Sequence, residues 1–438
     1  MAPRKCLLLL LDGLGDRQHP ELGGLTPLQA ARTPNLDRLA EIGGNGLYHP
    51  GELGEPFPSE NAHFALFGYH EHDFPGRGPV EALGAGLELR QGQVASLAHF
   101  VSASIRDGAL FVERDRPGAL EPEDIRVLFD RVGSFEYERV TISLHQTKGL
   151  FGVLTFQGEV SPLITDSNPM QDMAFATDVQ PTDQGQNDPG AHRCAEALKA
   201  YLAWTYHRLS ASELNSFRME QGLAPINALV TQRTGRMHEL EPFSRRTGLA
   251  GALVASGALY QGLGRLMGMH VLDVAEGLDV QADYAARLRL ARERLSDFDF
   301  MHVHTKAPDE AAHSRSCLAK KEAIEALDRS LEQHMDLLAD NPEVLTVVAS
   351  DHSTPSSGAM IHSGEPVPVI MRGTTIRRDG VEAFNEIEAA SGSLGMMRGR
   401  ELMRMVLNAM DRARLRGIRN DSAELLCWPG PASPLILD

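Results

Sequence analysis

Apolar residues gather in four short runs, at residues 6–11, 298–303, 344–349 and 367–371, the first of them Cys-Leu-Leu-Leu-Leu-Leu. Runs this short, largely without polar alternation, predict strands buried on both faces, as in a parallel sheet. Helix-like stretches lie between and around them, at residues 33–42, 282–296, 320–339 and 399–415. Strands alternating with helices predict an α/β domain with a mostly parallel sheet. Ligands of such sheets collect at the carboxyl ends of the strands. Here the run 6–11 leads into Asp12, 298–303 leads through His304 toward Asp309, and 344–349 leads into Asp351-His352, while 367–371 comes soon after His362. That shared position makes the scattered acids a candidate site.

Residues 90–242 read differently. Short alternating pieces at 110–112, 140–144 and 150–156 precede a polar Asp/Gln/Pro/Gly stretch at 178–189, and no acid pairs with a histidine at ligand spacing. The segment predicts an inserted, smaller α+β domain, with residues 1–89 and 243–438 forming one core.

With 438 residues, 42% hydrophobic and 23% charged, the chain has the length and make-up of a globular protein able to bury a large core. A formal net charge of -17 disfavours a nucleic-acid surface. An acidic protein can still take an anionic substrate if bound dications, roughly +4 for two, reverse the sign locally. Cys6, Cys194, Cys317 and Cys427 form no C-x-x-C pair, which argues against structural zinc and a dense disulfide framework. The amino-terminal apolar run is too short for a signal peptide and ends in Asp12-Gly13 without a cleavage site. Nothing else reaches the length of a membrane span, so the expected setting is a reducing cytoplasm, without membrane or nucleic-acid partners.

Asp351-His352 at a strand end offers hard oxygen and imidazole nitrogen from one edge, a mixture that suits Zn²⁺, Mn²⁺ or a similar dication; alone it reads more readily as a turn. Asp309 and His313 stand at i and i+4, on one side of a helical turn, able to hold one ion or to be a solvated pair. His362 lies in a loop before a strand. Ser59 opens a helix-like segment, as an N-cap or as a hydroxyl at the positive helix terminus, where a phosphoryl group is favoured. A metal-coordinated serine is a competent nucleophile. Residues 76–86 read as a glycine-rich loop, without the Walker ending, in which Arg77 could fork onto a phosphate or carboxylate. Lys306 could neutralise a phosphate likewise.

Taken in order, longer stretches match a known pattern. They are Asp12-Gly13-Leu14-Gly15-Asp16-Arg17, Leu25-Thr26-Pro27-Leu28, Thr33-Pro34-Asn35-Leu36-Asp37, and Ser59 with Ala62-His63 and Leu66-Phe67-Gly68-Tyr69. Gly76-Arg77-Gly78-Pro79, Lys306-Ala307-Pro308-Asp309-Glu310-Ala311-Ala312-His313, Ser350-Asp351-His352-Ser353-Thr354-Pro355 and His362-Ser363 complete it. The chain resembles the archaeal-type cofactor-independent phosphoglycerate mutases of the alkaline phosphatase superfamily, over nearly its whole length.

The resemblance implies an alkaline-phosphatase-like core holding two divalent ions (Mn²⁺, Zn²⁺, Co²⁺ or Mg²⁺), with no 2,3-bisphosphoglycerate cofactor. Asp12, Ser59, Asp351 and His352 would line one metal, and Asp309, His313 and His362 the other. It implies that Ser59 takes the phosphoryl group from a small phosphorylated carboxylate, interconverting 3-phosphoglycerate and 2-phosphoglycerate. The inserted domain departs from the pattern. Asn168-Pro169-Met170 stands where the family has Asp-Pro-His, and Leu150-Phe151 where it has Tyr-Arg or a similar pair. Arg114, Arg116, His145 and Lys148 are the candidate substitutes, beside Arg77 and Lys306. The same chemistry on another substrate (as a phosphatase, a homoserine-kinase-like phosphotransferase or a mutase-like enzyme of specialised phosphorus metabolism) and a non-catalytic binding protein are the alternatives.

Overall fold

A computed structural model describes residues 2–118, 120–419, 425–428 and 434–437. Ala119, at the end of the arginine-bearing segment 114–119, lies outside the described residues. The chain divides into two compact units, Met1–Phe74 with Leu240–Asp438, and Pro75–Glu239.

The first unit is built on eight strands: β1 (Lys5–Leu11), β2 (Gly44–His49), β3 (Gly251–Ala255), β4 (His270–Asp273), β5 (Phe300–Thr305), β6 (Val344–Ala349), β7 (Val367–Arg372) and β8 (Gly395–Arg398). They lie in the order β4-β3-β5-β1-β6-β7-β2-β8. Only β7 runs against its neighbours, β6 and β2; the other pairs are parallel. β1 is central because Cys6 to Leu11 are all buried. Each such leucine contributes about 1.5–3 kcal/mol relative to an exposed one. Parallel register sets Leu11 beside Thr305 and Leu10 beside Ala349. The chain therefore leaves β1, β5 and β6 at one edge, carrying Asp12, Asp309 and Asp351 with it.

Three helices position the site: α1 (Ser59–Leu66), α2 (Ala307–His313) and α3 (Cys317–Leu331). α3 starts three residues before the expected 320 because the Ser316 hydroxyl caps it, accepting from the Ala319 N–H at 3.1 Å. The expected continuation to 339 is replaced by a 3₁₀ turn and a π-helical turn, Asp336–Asp340. The expected helix 399–415 runs only over Glu401–Ala409, since Asp411 takes the left-handed conformation, with φ 54°.

The second unit is an antiparallel sheet around the long strand Val94–Arg106, which pairs with Phe151–Gln157, Ala228–Arg236 and Ala109–Arg114. The helix Pro189–Ser210 shares its core, where Val94, Phe100, Ile142, Phe156, Leu198 and Tyr201 are buried together. This unit begins at Pro75 rather than at residue 90. The expected glycine-rich loop is instead a helix, Arg77–Gly84. Gly78 serves close packing here: a Cβ on it would lie 2.3 Å from the Ala95 carbonyl oxygen.

Candidate metal centre

Asp12 follows β1 directly and is fully buried. Its Oδ2 accepts from the Tyr260 hydroxyl at 2.5 Å and faces His304 Nε2 at 3.1 Å. Gly13 turns the chain with φ +66°, and a Cβ there would lie 2.6 Å from Thr354 Oγ1 and 2.7 Å from Asp309 Cβ. Glycine thus lets three segments close on one another. The Gly13 N–H donates to Asp351 Oδ1 at 3.1 Å, and the Asp309 N–H to the Asp12 carbonyl at 3.1 Å.

Ser59 is the first residue of α1, and Pro58 occupies the capping position, so its side chain is not the N-cap. Its Oγ lies 3.0 Å from His352 Nε2 and the residue is 6% exposed. The hydroxyl is therefore free of the helix it opens and turns to His352. One turn on, His63 Nδ1 reaches the Ser59 carbonyl at 2.8 Å and Asp351 Oδ2 at 3.3 Å.

Asp309 lies in the first turn of α2. His313 Nε2 is 3.3 Å and His362 Nε2 is 3.6 Å from its Oδ1, which also accepts from the Thr354 hydroxyl at 2.8 Å. The Phe57 carbonyl holds His362 Nδ1 at 2.7 Å, and Thr354 Oγ1 meets His352 Nδ1 at 3.1 Å, leaving each Nε2 turned inward. The rings of His352 and His362 stack at 3.8 Å. Lys306 Nζ sits 3.4 Å from Asp309 Oδ2.

Ligand atoms of Asp12, Asp351 and His352 lie within 4.8 Å of one another, as do those of Asp309, His352 and His362. Oδ1 of Asp12, Oδ2 of Asp309 and Oδ2 of Asp351 are buried without a hydrogen-bond partner. Buried carboxylate oxygens in that condition call for cations, so the residues fit divalent metal. The charges already disturb one another. Burial, then Asp351 and Asp309, push Asp12 up to about 6. Burial would raise Asp351 too, but His352 and His63 hold it below its ordinary value. Against burial, the His313 and His362 hydrogen bonds, with Lys306, hold Asp309 well below.

The expected substrate contacts fall in the second unit, Lys306 aside. Arg77 Nε pairs with Glu81 at 2.7 Å within their helix. Exposed Arg114 ends a strand, and exposed Arg116 lies 5.8 Å over the Phe151 ring. Lys148 stands opposite Phe151 in register. His145, opposite Val153, shares the face of the sheet that carries Phe151; its Nε2 meets Thr155 Oγ1 at 3.1 Å, and it lines a cavity of about 540 Å³ with Arg90, Gln93 and Ser143. Of the five in the second unit, Arg116, His145 and Lys148 gather on the face that carries Phe151. His99, which sequence reasoning passed over, stacks on Phe151 at 5.3 Å and bonds Asp115 at 2.8 Å.

Sequence reasoning also left Tyr260, His302 and His304 out of the site, and His63 without a role. A signal existed. Two histidines at alternate positions of a buried strand must share a face, and His302 and His304 do, with ring centroids 5.9 Å apart. Burial keeps both well below the ordinary histidine range.

The family described as the Metalloenzyme superfamily matches residues 4–409. A 2,3-bisphosphoglycerate-independent phosphoglycerate mutase of Methanopyrus kandleri is 38% identical, over 93% of this chain and 97% of its own. A second, from Methanocaldococcus jannaschii, is 36% identical over 95% of each chain. A Pyrococcus horikoshii protein superposes with TM-score 0.79 at 30% identity, covering 95% of this chain and all 100% of its own. The cofactor-independent phosphoglycerate mutase of Thermoplasma acidophilum gives 0.63 at 29% identity, covering 94% and 100%.

Proposed function

The chain belongs to the Metalloenzyme superfamily, among its 2,3-bisphosphoglycerate-independent phosphoglycerate mutases, and from that we infer an isomerase that interconverts 3-phosphoglycerate and 2-phosphoglycerate through a phosphoserine at Ser59. The observation that carries the residue assignment is the Ser59 hydroxyl, at the amino end of α1 and 3.0 Å from His352 Nε2, a ring nitrogen that also faces the buried Asp12 and Asp351 at 3.5 and 3.2 Å.

Asp12, Ser59, Asp351 and His352 hold one dication, and Asp309, His313 and His362 the other. When bound, such ions lower the proton affinity of a serine hydroxyl and neutralise phosphoryl oxygens. Ser59 Oγ forms a bond to phosphorus as the phosphorus–oxygen bond to the substrate breaks, and the substrate oxygen leaves as an alcohol. The phosphoryl group then returns to the neighbouring oxygen of the same glycerate, and Ser59 is restored. No diphosphorylated cofactor enters that balance. The helix terminus favours the anion on Ser59. Arg77, Arg114, Arg116, His145, Lys148 and Lys306 are the candidate contacts for substrate phosphate and carboxylate. Among the described residues no helix is long and apolar enough to cross a membrane, and the reading sets the enzyme in the reducing cytoplasm.

An enolase-coupled assay with 3-phosphoglycerate, run with Mn²⁺, Zn²⁺, Co²⁺ or Mg²⁺, tests this. Turnover is expected with at least one ion and without 2,3-bisphosphoglycerate. A metal-loaded protein that turns over no phosphoglycerate would overturn the substrate.

A further inference from the structure

A second set of metal-ligating side chains lies in the first unit and shares no residue with the centre around Asp12. His19, Glu21 and Cys317 each place a ligand atom within 4.8 Å of the other two. His19 precedes the 3₁₀ turn Pro20–Leu22, which carries Glu21, and Cys317 is the first residue of α3. His19 is 4% and Cys317 is 8% exposed, while Glu21 is open to solvent.

We propose that His19, Glu21 and Cys317 bind a zinc ion through imidazole nitrogen, carboxylate oxygen and thiolate sulfur, with water in the fourth position. The donor set selects the metal class: thiolate with imidazole suits Zn²⁺ and excludes Mg²⁺ and Ca²⁺, which take oxygen ligands. Two anionic ligands balance the charge of a dication.

The surroundings are those of a metal-binding histidine. His19 Nε2 meets Asp16 Oδ1 at 3.1 Å; with the proton there, the Nδ1 lone pair is left as the ligand. Asp16 is itself fixed, by Lys320 Nζ at 3.3 Å, the Ser356 hydroxyl at 2.5 Å and the Arg17 N–H at 2.7 Å. A carboxylate so held sets the ring orientation. Among the described residues the Cys317 sulfur has no side-chain hydrogen-bond partner. The N–H groups of Cys317 and Leu318, at the start of a 15-residue helix, favour its thiolate. Binding as thiolate releases the proton of the sulfur as the sulfur–metal bond forms. The ion ties the turn Pro20–Leu22 to the first turn of α3.

The catalytic candidates include no cysteine, so cobalt distinguishes the two places. Co²⁺ is titrated into the full-length protein and into Cys317→Ser. The wild type is expected to take up one cobalt more than the variant, with a near-ultraviolet thiolate-to-cobalt charge-transfer band that Cys317→Ser abolishes and His19→Gln weakens. Absence of the band in the wild type, or its survival in Cys317→Ser, overturns the proposal. Should Cys317→Ser fail to fold, maleimide labelling of the wild type decides. Zn²⁺ is expected to slow alkylation of Cys317 at least about tenfold, and an unchanged rate overturns the site. Ser59→Ala should leave band and protection intact, so these readouts stand apart from the mutase activity.

Discussion

The two units treat buried polar groups in opposite ways. In the second, buried polar side chains close on local partners. Ser167 Oγ meets Thr231 Oγ1 at 3.0 Å, and Asn215 bonds the carbonyls of Leu209 and Ile226 and the Ile226 N–H. The hydroxyls of Ser102 and Thr205 stand as exceptions. In the first, Asp12, Asp309, Asp351, His63, His302 and His304 all keep a buried atom without a hydrogen-bond partner. Both units fold around ample apolar cores, so the difference is not one of stability. An antiparallel sheet supplies its own partners; the carboxyl edge of a parallel sheet gathers groups that only a ligand satisfies.

Ser59→Ala tests the chemical end of that contrast and should have the largest effect. Turnover should fall by on the order of 10⁵-fold, as for other covalent nucleophiles. The thermal midpoint should stay near wild type, because the hydroxyl caps nothing, while the ion assigned to Asp12, Asp351 and His352 loses one ligand and should be held more weakly against a chelator. Full turnover in this variant would remove Ser59 from the mechanism.

Lys320→Met tests the structural end. The Lys320 ammonium is fully buried, donates to the Gly15 and Thr354 carbonyls at 2.7 and 2.8 Å, and lies beside Asp16. Removing it strands a buried carboxylate, at a cost of about 3–5 kcal/mol, read from the denaturant midpoint. Acid dependence follows by sign. Burial would raise Asp16, but Lys320 and its hydrogen bonds hold it below its ordinary 3.8. It therefore contributes stability above that value, lost as pH falls through the lower folded one. The variant should lose that part of the acid transition. A stability equal to wild type would mean Asp16 is satisfied without its cation.

These cases mark what the sequence could yield. β6 shows in full as Val344–Ala349 because a strand buried on both faces is apolar nearly throughout, its one polar residue, Thr346, donating to the Leu338 carbonyl. Asp12 and Asp351 follow strands read that way, and the Asp309–His313 pair shows through helical spacing. Tyr260 and Lys320 were hidden, because their partners, Asp12 and Asp16, lie far off in sequence and nothing local marks them. The helix Arg77–Gly84 was hidden for another reason. Its glycines signal a loop, yet Gly78 serves close approach to Ala95. Local propensity gave way there to packing. The candidate contacts in the second unit were legible only as charge, and charge does not say which residues share a face.

Tyr260→Phe probes the support of the acids without touching the ligands assigned above. The phenol donates to Asp12 Oδ2, and burial keeps its proton in place, well above the usual range. Without it Asp12 is held on that oxygen by His304 alone. Affinity for the ion assigned to Asp12 should drop about 10- to 100-fold, measured by competition with a chelator, while excess metal restores turnover. Unchanged affinity would make Tyr260 a packing residue.

The smallest effect belongs to the second unit. Arg116 is exposed, and its guanidinium is spread over the Phe151 ring rather than locked in an ion pair with Asp115, whose carboxylate takes its hydrogen bond from His99. Little of the fold should depend on it. As a contact for substrate phosphate or carboxylate, Arg116→Ala should raise KM for 3-phosphoglycerate about tenfold, or about 1.4 kcal/mol, with kcat, metal content and thermal midpoint unchanged. That split is the opposite of the one for Ser59→Ala, where kcat falls. A fall in metal content in Arg116→Ala would erase the contrast between the units. An unchanged KM would remove Arg116 from the contact set and shift the search to Lys148 and His99, gathered about the same phenylalanine.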